Sequence, residues 1–137
     1  MAKTPVTFKV DGFADREVAG FEYSFNQAVD KENQPAGIPR GGTLIVSCKA
    51  RNDGNSELLQ WMLAKSMKKS GKLVIMQSND AEKEMKNIEF KDAYCVNFTE
   101  KWDDKTNNAE LAHIEKITIS CRNIQNSKGG EYKNEWA

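Results

Sequence analysis

The side chains able to do chemistry are few in this sequence and far apart. Acid–base catalysis needs groups of tuned proton affinity within reach of one another. There is one histidine, His113. It precedes the last alternating stretch, has no clear partner, and reads as a structural residue. Cys48, Cys95 and Cys121 are odd in number and widely spaced. They form neither a Cys-x-x-Cys pair nor a zinc-ligand spacing. Each falls in a strand-like pattern, so they read as reduced thiols of a core or strand face rather than a disulfide framework. The sequence holds no phosphate-binding P-loop, no dinucleotide GxGxxG and no HExxH. Most carboxylates are scattered as a solvated surface would have them. Asp92 differs, because it shares the parity of the apolar Phe90 and Tyr94. A buried carboxylate is costly unless hydrogen-bonded. Asp92 is therefore expected to cap a loop at the end of a barrel, with a site acid as the competing role. Asn97-Phe98-Thr99 fits a glycosylation acceptor, but it stands in mid-strand and has no secretory route to make it meaningful. The expectation is no catalytic, metal-binding or cofactor-binding residue, no cofactor, and a protein that is not an enzyme.

What the residues do specify is a scaffold, and Ile88 to Trp102 is its centre. Ile88, Phe90, Tyr94, Val96, Phe98 and Trp102 share one parity; Glu89, Lys91, Cys95, Asn97, Thr99 and Lys101 share the other. A period of two sends successive side chains to opposite faces and marks a half-buried strand. Strands average roughly five to six residues, and this pattern holds for about fifteen. Such a ribbon needs neighbours curling over it, as in a barrel or sandwich. Its second face, with Ala93, Cys95, Asn97 and Thr99, is small and polar but light in charge, which suits contact with another subunit.

Around this ribbon the chain reads as further strands. Val6, Phe8 and Val10 alternate up to an Asp11-Gly12 turn, and Phe21, Tyr23, Phe25, Gln27 and Val29 alternate next. From Asp30 to Gly42, two prolines and three glycines exclude regular pairing. A connection this long in a small domain is either disordered or functional. Ile38, between Gly37 and Pro39, makes it a candidate docking loop. Leu44, Val46, Cys48 and Ala50 form a third strand, ending at Asn52-Asp53-Gly54-Asn55. Ser56 then caps the one helix, expected over about 56–69. Its apolar stripe is Leu58, Leu59, Trp61, Met62, Leu63 and Met67, with Lys68 and Lys69 in the last turn and Gly71 as the left-handed stop. Lys72 to Gln77 is a short strand apolar on both faces, Asn79 to Asn87 a charged turn or hairpin, and Asp103 to Asn108 a polar turn. Ile117, Ile119 and Cys121 alternate in a last strand. Ile114 is off that parity, so a bulge is expected near Glu115. The fold class is mainly β: a small antiparallel barrel of about six to eight strands with the helix packed on its side. Residues 1–124 form one domain, and 125–137 a polar tail carrying Tyr132 and Trp136.

Twenty basic and twenty acidic residues cancel in a chain of 137. A balanced surface disfavours nucleic acid and anionic membranes and is compatible with self-association. No apolar run is long enough for membrane insertion, and the N-terminal MAKTPVTFKVDG lacks the apolar core of a signal peptide. The expected location is cytoplasmic, with export by a route that needs no such signal left open.

The segments also resemble a known family. Tyr23, Gln27, Val29 and Asp30, then Gly37, Arg40, Gly41, Gly42 and Thr43, are followed by Leu58-x-x-Trp61-Met62 and Gly71. Phe90-Lys91-Asp92-Ala93-Tyr94-Cys95-Val96 and Ile117-Thr118-Ile119-Ser120 complete the set. In this order they resemble the haemolysin-coregulated proteins, the tube proteins of type VI secretion systems, and especially the form found in Bacteroidetes. Phe21, where relatives often carry a small residue, and the extension past Ile124 depart from the pattern.

The resemblance implies a β-barrel with one helix. It implies self-assembly as a homohexamer, with rings stacking into a hollow tube that a contracting sheath drives into a target cell. It implies a spike protein, sheath and baseplate proteins as partners, and effector proteins in the lumen. It implies a protein cytoplasmic before firing and then secreted. Ring stacking needs a protrusion, and the best one is Asn33, Gln34, Pro35, Ala36, Gly37, Ile38, Pro39 and Arg40. Ile45, Ser47, Lys49, Ala93, Cys95, Asn97 and Thr99 are candidates for the subunit interface or lumen face. Two other readings compete. A contractile-phage tail tube protein is physically the same object. A small-ligand binding barrel is opposed by the abundance of Phe and Tyr, which argues for a filled interior.

Overall fold

A computed structural model of the chain describes residues 5–105, 107–108, 111–134 and 136. Seven strands and one helix follow in the order β1 (Val6–Val10), β2 (Arg16–Tyr23), β3 (Thr43–Lys49), α1 (Glu57–Leu63), β4 (Lys68–Gln77), β5 (Asp80–Trp102), β6 (His113–Asn126) and β7 (Glu131–Lys133). All pairings are antiparallel, in the spatial order β3-β2-β1-β4-β5-β6-β7. A further β3–β6 ladder, from Thr43↔Ser120 to Lys49↔Ile114, closes six of the strands into a barrel-like ring. β7 continues along the β6 edge beyond β3, pairing Asn123↔Lys133 and Gln125↔Glu131.

The alternating residues fill the ring. Phe8, Val10, Leu44, Val46, Cys48, Leu73, Ile88, Phe90, Ile117, Ile119 and Cys121 are buried in one cluster. α1 adds Leu58 and Trp61, each about 1% exposed. Trp61 donates its indole N–H to the Met67 carbonyl at 3.0 Å and meets the Phe13 ring edge-on. The stripe expected on the helix is thus core at Leu58 and Trp61, while Leu63 is 73% exposed.

The helix is shorter than its pattern. It ends at Leu63, and Lys68 and Lys69 open β4 instead of closing α1. Gly71 is not a helix stop. A Cβ there would collide with the Lys9 carbonyl oxygen and crowd the Val10 Cα and Phe90 ring, both at 2.9 Å. The glycine allows β1 and β4 to approach closely over an aromatic ring. Ser56 precedes the helix, but its side chain makes no cap bond; Asn55 Oδ1 accepts the Glu57 N–H at 3.0 Å.

β5 spans 23 residues and absorbs the expected hairpin region from residue 80 onward. Its alternation is interrupted twice. Asp92 takes a left-handed φ of 51°, and between Lys69 and Gly71 the β4–β5 register slips by one residue. Asp92 is therefore an exposed bulge residue, its N–H bonded to Ser70 Oγ at 3.1 Å, and neither a loop cap nor a site acid. Beyond it parity inverts: Ala93 and Cys95 are buried and Val96 is 51% exposed. A second slip between Cys95 and Asn97 leaves Val96 as the extra residue, and Phe98 again packs on the core. Trp102, expected inward, is 65% exposed. Ala93 and Cys95 therefore belong to the core and not to the outer face expected for them.

No slip occurs near Glu115. That residue keeps the inward parity and is buried, with its charge opposed by Arg16. β2 stops at Tyr23, so Phe25 and Val29 leave the strand and are 43% and 56% exposed. The stretch expected as a tail holds the end of β6, a turn, and β7. Thr106 of the expected polar turn, and Glu135 and Ala137 of the tail, lie outside the described residues.

Candidate assembly surfaces

In a closed antiparallel ring the connections fall at two ends. β1–β2, β3–α1–β4 and β5–β6 share one end; β2–β3, β4–β5 and β6–β7 share the other. The helix end is tied by a buried polar knot. Arg16 Nη1 meets Glu115 Oε2 at 3.0 Å, with both side chains almost completely buried. Arg16 Nη2 donates to the Asn55 backbone oxygen at 3.0 Å and to its Oδ1 at 3.1 Å. Glu57 Oε1 accepts the Ala14 N–H at 2.9 Å and Asn55 Nδ2 at 2.6 Å. These two donors, Ala14 first, hold the Glu57 carboxyl below its ordinary range.

The shallow cleft outside that knot is lined by Asp15, Glu17, Lys49, Arg51, Asp53 and His113. Its charges are satisfied pairwise. Asp15 meets Lys9 at 2.8 Å, Glu17 meets Lys49 at 3.4 Å and Asp53 meets Arg51 at 2.8 Å. His113 Nε2 lies 2.5 Å from Glu100 Oε2. The Arg51 guanidinium holds the Asp53 carboxyl below the usual carboxylate range. Burial pushes the thiols up, Cys48 and Cys121 to about 12 and Cys95 to about 11, so all three stay protonated at neutral pH. The nucleophile is the thiolate, and these groups are poor ones. Among the described residues no His, Cys, Asp and Glu cluster has the geometry of a metal site, and no helix is long and apolar enough to cross a membrane.

The opposite end carries an arm, residues 24–42. It is a built hairpin rather than a slack loop. Asn26 and Arg40 exchange backbone hydrogen bonds at 2.9 and 2.7 Å, and Ala36 N–H reaches the Ala28 carbonyl at 2.7 Å. At the tip, Asp30 Oδ1 accepts the N–H groups of Glu32 and Gln34, both at 3.0 Å, and Asn33 takes φ 68°. Gln27 Nε2 ties across to the Gly37 carbonyl at 2.6 Å. All eight residues expected in a docking loop, Asn33 to Arg40, are exposed on this arm, Ile38 by 68%.

The arm root is packed. Phe25 meets Tyr23 edge-on at 5.7 Å and Tyr132 at 5.4 Å, while its ring covers Gly41, where a side chain would clash. Gly42 has φ 94° and leaves 2.5 Å between its missing Cβ and Asn134 Nδ2.

Ile45, Ser47, Lys49, Asn97 and Thr99 stand on the outer surface, half-buried or exposed. The register brings four of them together: Ile45 and Ser47 pair with Thr118 and Lys116 on one edge of β6, and Asn97 and Thr99 pair with the same two residues on the other, while Lys49 pairs with Ile114. Sequence reasoning missed Arg16, Asn55, Glu115 and Asn134, whose partners are dozens of residues away or across a turn. The two aromatics in an otherwise polar C-terminal stretch were the one available signal for its anchoring.

Among curated proteins, none matches the sequence. The family model for the hemolysin coregulated protein Hcp (TssD) matches residues 3–137. Of solved structures, Hcp1 from Flavobacterium johnsoniae is similar with a TM-score of 0.84 and 28% identity, covering 95% of this chain and 99% of that one. A mutant form of Hcp1 from E. coli EAEC 042 has a TM-score of 0.70 at 12% identity over 99% of this chain and 100% of that one. Hcp1 from Salmonella typhimurium has 0.67 at 16% over 96% and 92%; these last two show the fold alone. With the family model spanning nearly the whole chain and the closed sheet, single helix and projecting arm in place, the chain belongs to the haemolysin-coregulated protein family, the tube proteins of type VI secretion.

Proposed function

We propose that this chain forms homohexameric rings that stack head to tail into a hollow tube, loaded in the cytoplasm and ejected by the secretion machine. The observation that carries this reading is that the exposed large apolar side chains gather at the two ends of the sheet, with Val96 on the β5 bulge as the exception. Val29 and Ile38 on the arm and Met85 near the β4–β5 turn belong to one end. Leu63 at the end of α1, Trp102 at the end of β5 and Leu111 in the β5–β6 connection belong to the other. Exposed apolar side chains grouped on one surface mark contacts, whereas single scattered ones are ordinary. Two different apolar ends make a heterologous contact, which propagates as a stack instead of closing as a dimer.

The side-by-side contact that closes each ring, and the lining of the lumen, draw on Ile45, Ser47, Lys49, Asn97 and Thr99. That face is polar without dense charge, compatible with passage or storage of effector proteins. Spike, sheath and baseplate proteins complete the partner set. The chemistry asked of the chain is assembly, in keeping with a family of structural tube proteins.

Ile38→Glu tests the stacking. Placing a charge on the exposed arm leaves the barrel core untouched, so rings should form in light scattering and negative-stain images while tubes disappear. Tubes indistinguishable from those of the unaltered protein would remove the arm from the stacking contact. A particle of 15.4 kDa at high concentration, with no rings in the images, would remove the ring itself.

A further inference from the structure

The arm does not stand on its own strands alone. Its root rests on the C-terminal segment, and we propose that this segment, through Tyr132 and Asn134, is the positioning element that sets the posture of the arm and thereby permits stacking. The inference rests on the stacking role proposed above for the arm.

Three observations carry it. First, the Phe25 ring that covers Gly41 is wedged against Tyr132 at 5.4 Å. Second, Asn134 Nδ2 donates to the Cys121 carbonyl at 2.8 Å and to the Gly41 carbonyl at 3.4 Å, while its Oδ1 accepts the Tyr132 hydroxyl at 3.1 Å. One amide thus joins barrel strand, arm root and C-terminal segment. Third, the segment is fixed beyond this junction. Asn134 N–H bonds the Arg122 carbonyl at 2.7 Å, and the Trp136 ring lies 5.5 Å from Tyr94, which Lys68 approaches at 5.8 Å.

Physically, the arm is a two-legged hairpin with few apolar contacts of its own. Such an element swings about its root unless something braces it. Phe25 is the brace on the first leg and Gly41–Gly42 the seat on the second; the C-terminal segment touches both. A contact between rings made by a swinging arm must order it at the moment of docking, which weakens association. A braced arm is pre-organised.

The test uses the full chain carrying Asn134→Asp, which keeps the shape but turns an acceptor toward two carbonyl oxygens in place of the donor. Amide hydrogen exchange is read at Asn26, Ala36 and Arg40, whose N–H groups hold the arm hairpin, and at barrel amides of β1 and β3 as the control. The arm amides should exchange about tenfold faster, the effect of losing roughly one net hydrogen bond, with the barrel amides unchanged. Tyr132→Phe, which keeps the ring against Phe25 but removes the hydroxyl that Asn134 accepts, should loosen the arm less than Tyr132→Ala, and Tyr132→Ala should loosen it at least as much as Asn134→Asp. Equal arm exchange in all four proteins overturns the proposal. So does loosening shared equally by arm and barrel, which would mark a merely structural role. Images of the same samples read the consequence: a loosened arm with lost tubes supports the proposal, whereas a loosened arm with normal tubes overturns the claim that bracing permits stacking; Ile38→Glu tests the stacking role itself separately.

Discussion

At the helix end of the barrel, Trp61 and Leu58 sink into the core and a knot of Arg16, Glu115, Asn55 and Glu57 ties the loops together. At the arm end, backbone hydrogen bonds and one aromatic wedge hold a hairpin that leaves Val29 and Ile38 in solvent. The first end satisfies the polar side chains of that knot internally, although Leu63 and Trp102 at the same end stay exposed. The second bonds its backbone, Gln27 and Asp30 internally and leaves large apolar side chains in solvent. A stable fold needs the first arrangement. A surface that becomes complete only against a second copy needs the second. If this division holds, changes in the knot and at Trp61 should register as stability, and changes on the arm as assembly.

The largest effect is expected from Trp61→Ala. The side chain is about 1% exposed and holds both Phe13 and the Met67 carbonyl. Truncating a buried aromatic of this kind costs about 3–5 kcal/mol, read as a lower urea midpoint. A loss below ~1 kcal/mol would mean that the helix is an accessory and not part of the core.

Arg16 offers the next cut. Breaking a buried pair by removing one partner costs about 3 kcal/mol or somewhat more, because the other charge is stranded. Arg16→Met should therefore destabilise strongly. Adding Glu115→Leu should recover most of the loss, since the stranded carboxylate is gone. The recovery should fall short, because Asn55 also loses the Arg16 donor. A double variant as weak as the single one would show that the pair itself, rather than the avoidance of a lone charge, holds this end closed.

The same division explains what could be read from the chain unaided. β1 and β3 were legible because a strict period of two leaves no other half-buried geometry. The β5 pattern was legible up to Phe90 and then misleading. A bulge inserts one residue, and Lys91-Asp92 offered two polar residues of which either could have been the extra one. Nothing in the residue types said that Ala93 and Cys95, rather than Tyr94 and Val96, would turn inward. The helix overran to residue 69 because Lys68, Lys69 and Gly71 imitate a helix terminus, while the actual demand on Gly71 comes from β1, about sixty residues earlier in the chain. The position of the arm was legible from its prolines and glycines. Its internal order was not, since that depends on Asp30 folding back on its own backbone and on Tyr132 and Asn134 arriving from the far end of the chain.

The smallest expected effect sharpens the comparison most finely, because it separates two neighbours at the helix end. Ser56 occupies the position before α1 that a serine usually caps, yet its hydroxyl turns back to the Gly54 carbonyl at 3.2 Å and makes no cap. Asn55 supplies the cap instead and also holds Arg16 and Glu57. Ser56→Ala should therefore shift the thermal midpoint hardly at all, within about 0.5 kcal/mol. Asn55→Ala should cost about 1–2 kcal/mol, from the cap and from one bond lost by each of Arg16 and Glu57. If the two variants lost the same stability, neither the cap nor the knot bonds of Asn55 would contribute measurably to closing this end.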